Sequence, residues 1–76
     1  MADLLEYCAL VYEDERADGQ CEIIQFSRDG SIKAKAKRER GAGLVIAELD
    51  SAGWSYAFTD RDGHVTQVFF KRAVGQ

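Results

Sequence analysis

Seventy-six residues with a 46% hydrophobic fraction, 30% charged residues and a net charge of −3 are expected to make one globular domain, residues 1–76. That balance excludes a disordered chain, the absence of proline argues against polyproline recognition, and no run approaches the ~18 apolar residues of a membrane span. A chain this short buries only about 60% of its unfolded surface, so a metal, a disulfide or self-association is the usual supplement to its core.

Leu4 to Glu13 reads as a strand with apolar residues on both parities. Leu5, Tyr7, Ala9 and Val11 face one way, and Leu4, Cys8, Leu10 and Tyr12 the other. Asp3 and Glu6 interrupt this run, unlike the basic-then-apolar order of a signal peptide. Glu13 to Gly19 (EDERADG) is a charged turn, and Gln20 to Arg28 a second strand. A four-residue turn over Arg16 to Gly19 sets Glu15 opposite Gln20, Ala9 opposite Phe26 and Val11 opposite Ile24. Cys8 then faces Ser27, six residues along the strand from Cys21 and roughly 20 Å away, which is beyond disulfide reach. Both cysteines are expected as small buried hydrophobes.

Arg28-Asp29-Gly30-Ser31 is a second turn. Ser31 to Arg38 then alternates Ile32, Ala34 and Ala36 with Lys33, Lys35 and Lys37. A strand so uniformly cationic on one side belongs at a sheet edge, where charge blocks unwanted pairing. Glu39 to Gly43 leads into a helix, because Ala42, Val45, Ile46, Leu49 and Ala52 fall on one stripe of helical period. Gly53 ends that stripe, in the position where a left-handed residue favours glycine. Trp54, Tyr56 and Phe58 follow at once with a period of two, so the helix has to fold back onto the sheet that this strand joins. Trp54 is the expected anchor of that packing. Asp60 to Gly63 closes a last hairpin, either as a four-residue loop or as a tight Asp62-Gly63 turn. Trp54, Tyr56 and Phe58 are then expected on one face with Val65, Gln67 and Phe69.

The run Ala47, Glu48, Leu49, Gly53, Trp54, then Phe70, Lys71 and Arg72, with Glu6 and Tyr7 near the start, resembles a family of short bacterial proteins of unknown function. Members of that family carry a helix ending in Gly-Trp-Glu-Leu-Val, a hairpin and a final Phe-Lys-Arg strand. Ser55 stands where the family prefers Glu, and Asp50 where it prefers Gly. The resemblance implies a fold type and no established activity. A cytoplasmic bacterial protein is the corresponding expectation.

The candidate chemistry is sparse. Arg28, Lys33, Lys35, Lys37, Arg38 and Arg40 crowd six of the ten basic residues into one tract, which could bind an anion or nucleic acid beside the helix start. The chain is nevertheless acidic overall, and the tract has no aromatic residue for base stacking. The Gly41-Ala42-Gly43 step lacks the Gly-Lys-Ser/Thr ending of a phosphate loop. His64, the one histidine, sits in a hairpin turn beside Asp62, where nothing excludes water. Two cysteines and one histidine cannot fill a four-ligand zinc site by themselves, so no metal or cofactor is expected.

These readings combine into an α+β fold: an antiparallel sheet of about five strands in the order ββ(β)αββ, with one helix packed on one face. The functional expectation is a non-catalytic, self-associating accessory domain. One helix covers one face, and Cys8, Leu10, Tyr12 and Ile23 are assigned to the other, as the surface of a homodimer. The alternative is polyanion binding through Lys33, Lys35, Lys37, Arg38 and Arg40.

Overall fold

Period-two alternation in five segments and one helical stripe give five strands and one helix among the described residues. The computed structural model describes residues 5–27 and 29–73. The expected strand ends at Leu4 and Arg28 lie outside the described residues. The elements are β1 (Leu5–Glu13), β2 (Cys21–Phe26), β3 (Ile32–Arg38), α1 (Ala42–Ser51), β4 (Ser55–Asp62) and β5 (Val65–Ala73), with a 3₁₀ turn at Asp14–Arg16 after β1. All neighbouring strands are antiparallel, in the order β3-β2-β1-β5-β4. The fold is α+β, as expected. β3 is an edge strand, and β1 lies at the centre. α1 carries the chain from one edge of the sheet to the other.

Helix α1 is held at both ends. Gly41 lies against the turn after β1, where a Cβ would come within 3.1 Å of the Asp18 carbonyl oxygen. The Ala42 N–H donates to the Ala17 carbonyl at 2.7 Å in the same place. At the other end Gly53 adopts φ +92°. The Trp54 N–H donates to the Leu49 carbonyl and the Gly53 N–H to the Asp50 carbonyl, the paired bonds of a Schellman motif. Leu49 and Trp54, the two positions that motif brings together, are both buried. The helix–glycine–tryptophan unit is therefore closed by backbone bonds and by apolar packing at once.

The core joins Cys8, Leu10, Cys21, Ala42, Val45, Leu49, Trp54, Val68 and Phe70, with Tyr12, Ile23 and Ile46 packed against it. This corrects the face assignment. Cys8, Leu10, Tyr12 and Ile23 lie under α1, and the first two are 0% exposed. They form the core, not a surface for self-association. The opposite face, with Leu5, Tyr7, Ala9 and Val11 of β1, is the uncovered one, since no helix among the described residues lies over it. The physical reason lies in β3. Ala36 pairs with Ile23 and Ala34 with Gln25, on the face α1 crosses, and Lys35 and Lys37 pair with Ile24 and Glu22 on the other. Small alanines leave room for a helix overhead, and lysine ammonium groups need water.

Two registers also differ from expectation. Cys8 faces Gln25 and Ala9 faces Ile24, a slip of two residues that keeps every side chain on its face. The 3₁₀ turn lengthens the connection, and β1 continues along β5 to the Glu13–Val65 pair after β2 has left it. Cys8 and Cys21 are free and buried, as expected. The last hairpin turns through Gly63-His64 after the Asp62–Val65 pair, neither of the two turns expected. A bulge at Ala57 then splits the aromatic row of β4. Tyr56 pairs with Phe70 on the helix side, and Phe58 pairs with Phe69 on the uncovered side.

Candidate functional site

The uncovered face carries Leu5, Tyr7 and Phe58, large hydrophobic side chains that the fold leaves exposed. Its rows follow from the pairing. One row reads Lys35, Ile24, Ala9, Phe69, Phe58 from β3 to β4. The next reads Lys37, Glu22, Val11, Gln67, Asp60. Phe69 stacks on Phe58 at 4.5 Å between centroids and on Phe26 at 6.2 Å, with interplanar angles of 14° and 19°. Ala9 is only 1% exposed in that row. The rings thus form a contiguous apolar platform from β2 across to β4.

The platform is open. Phe58 is 52% exposed, and Tyr7 and Leu5 are 42% and 41% exposed. Tyr7, Phe26, Phe58 and Phe69 border an open depression of about 890 Å³, with Lys33 at its β3 side. The apolar end of the face gives way to charge toward the hairpin turns, where Glu22, Asp60, Glu13 and Asp62 share the face with Lys35 and Lys37. Lys33, Lys35, Lys37 and Asp60 are all exposed. Among the described residues no ion pair engages Lys33, Lys35 or Lys37.

The basic tract does not form one site. Arg38 pairs with Cys21 on the helix side of the sheet, away from the three lysines. Arg40 is committed to Glu48, donating to both carboxylate oxygens at 2.7 and 2.8 Å. The helix start beside it is pinned to the Ala17 carbonyl. Lys33, Lys35 and Lys37 remain as an exposed cationic margin of the uncovered face. No protein-family model, no curated protein and no solved structure matches this chain.

Two further clusters are structural. The Arg72 guanidinium lies 4.3 Å from the Trp54 ring centroid, donates to the Ala52 carbonyl at the helix end, and pairs with Glu6 at 3.2 Å. One side chain of β5 therefore ties the helix terminus, the tryptophan and β1 together. The second cluster surrounds Asp14. Its carboxylate accepts from the Thr66 hydroxyl at 2.7 Å and from Arg61, and its N–H donates to the His64 carbonyl at 2.8 Å. Thr66, a buried polar residue, is satisfied in this way. His64 serves the turn through its backbone and lies exposed. Alternation along the strands pointed to neither cluster, because each joins residues from distant turns.

The thiols are unreactive. Burial pushes Cys8 up to about 11 against the opposing pull of Arg72, and burial also raises Cys21, whose Sγ donates weakly to the Arg40 carbonyl at 3.6 Å. The Thr66 hydroxyl, with help from Arg61, holds the Asp14 carboxyl below the usual carboxylate range. A depressed carboxylate contributes stability above its unfolded pKa of about 3.9 and loses it as pH falls through the lower folded value. Asp29, lowered by its bonds to Ser31, acts in the same direction. Stability should therefore decline in acid below about pH 4. Asp14→Asn should flatten that decline in pH-dependent denaturant melts, and an unchanged acid slope would remove Asp14 from it.

Among the described residues no helix is long and apolar enough to cross a membrane. No group of three or more His, Cys, Asp or Glu side chains among them could hold a metal ion.

Proposed function

We propose that this chain is a small, non-catalytic domain that self-associates, burying its uncovered sheet face against a second copy of itself. The observation that carries this is the Phe26–Phe69–Phe58 platform with its exposed Tyr7 and Leu5. A contiguous apolar surface rimmed by charge marks an interaction site. Five strands at ~4.8 Å and about seven residues at ~3.3 Å give a footprint of roughly 550 Å² per copy, so that two copies clear the ~1,000 Å² of a specific interface. The face also holds lysines and carboxylates together, so a second copy offers the charges that match it.

Kinship with the short bacterial family belongs to this reading. It is supported by the way the shared motif residues meet, with Arg72 over Trp54 and paired to Glu6. Cytoplasmic residence belongs to it too, supported by two free thiols.

Sedimentation equilibrium at tens of micromolar tests the proposal. Wild type is expected as a dimer. Phe58→Glu, at an exposed edge position, is expected to fold with wild-type circular dichroism and sediment as a monomer. A monomeric wild type would overturn the proposal. If that monomer were held on heparin, and Lys33, Lys35 and Lys37 changed together to Gln released it, a polyanion would be the occupant of the face instead.

A further inference from the structure

Resting on the self-association proposed above, the order of charges across the face fixes how the two copies are turned. β1 is the central strand, with β3 and β4 two strands away on either side. The flanks are opposite in charge. β3 presents Lys35 and Lys37, and β4 presents Asp60 and Asp62. The apolar row is likewise distributed about β1, with Ile24 on one side of Ala9 and Phe69 on the other.

A symmetric face-to-face dimer of aligned sheets has its two-fold axis between them, running either along the strands or across them. An axis across the strands through the apolar row lays β3 over β3, so the lysines of one copy meet the lysines of the other. Like-charge juxtaposition at an interface is unfavourable. An axis along the strands reverses the order of strands in the facing copy. We infer that two copies of this chain stack about a two-fold axis running along β1, which lays the lysine-bearing edge strand β3 of each copy over the aspartate-bearing edge strand β4 of the other.

The rest of each row agrees with this arrangement. In one row Ile24 faces Phe69, Lys35 faces the ring of Phe58 and Ala9 faces itself. In the next, Lys37 faces Asp60, Glu22 faces Gln67 and Val11 faces itself. Aligned sheets cross at about 30°, which displaces facing edge residues by roughly 5 Å along the strands, so the charges match as pairs of residues and not one to one. Long lysine stems accommodate such an offset.

Charge reversal at the two edges tests the axis, with dimer dissociation read by sedimentation equilibrium at low salt. Lys35→Glu with Lys37→Glu should weaken the dimer by about tenfold or more, since each reversal acts twice in a symmetric interface. Asp60→Lys with Asp62→Lys should weaken it similarly. This second variant reduces the magnitude of the chain's net charge of −3, so a general charge effect would tighten the dimer. All four changes in one chain should restore association. A wild-type dimer that neither pair weakens, or that the fourfold exchange leaves dissociated, would overturn the axis and leave self-association standing. A monomeric wild type would overturn self-association itself.

Discussion

Trp54→Ala is expected to cost about 3–5 kcal/mol, the range for truncating a buried aromatic. Trp54 is 6% exposed in the core cluster, against the helix stripe of Val45 and Leu49 and the strand residue Phe70. It closes the Schellman turn with Leu49. Its ring also faces the Arg72 guanidinium, so its loss unseats the group that binds the Ala52 carbonyl and Glu6. Small domains have a total stability near the low end of about 5–15 kcal/mol, so the variant should be largely or wholly unfolded at 37 °C. Trp54→Phe should recover a good part of the loss. Thermal melts decide it: an alanine variant that melts with wild type would take Trp54 out of the core.

Leu10→Asp is expected to abolish folding, although its neighbour Val11 can take the same change and stay folded. Leu10 is 0% exposed, between Ile23 on β2 and Val68 on β5, beneath α1. A carboxylate there meets no cation among the core residues and carries the cost of an unpaired buried charge. Val11 is half-buried on the opposite face, beside Glu22 and Gln67. Val11→Asp should keep the wild-type circular dichroism and lose self-association. A Leu10→Asp chain that folds as a monomer would instead return the interface to the Cys8, Leu10, Tyr12 and Ile23 face.

Alternation and helical spacing made the elements legible, because Val45 and Leu49 report a helix stripe and Lys33 to Lys37 an edge strand without any knowledge of neighbours. Gly53-Trp54 was legible for the same reason: its capping geometry is local. The choice of face was not, because β1 is apolar on both parities and says only that both sides matter. The signal lay in β3, whose alanine side tolerates a helix and whose lysine side does not, once Ala36 is set beside Ile23. The Ala57 bulge moved Tyr56 away from Phe58, and nothing in a run of alternating aromatics announces an inserted residue. The Arg72–Trp54–Glu6 and Asp14–Thr66–Arg61 clusters unite residues far apart in the chain, which periodicity cannot see.

The central place of β1 has a consequence for how the chain is made. Its first residue, Leu5, pairs with Ala73, so β1, made before β2, β3 and β4, waits for β5, which is made after them. At roughly 5–20 residues per second, the nascent chain spends several seconds with β1 lacking one of its two partners. The helix side of β1 and the Tyr7–Val11 side are both exposed during that time. Folding is therefore deferred until β5 has been made, and a chain halted before β5 keeps neither the core nor the platform.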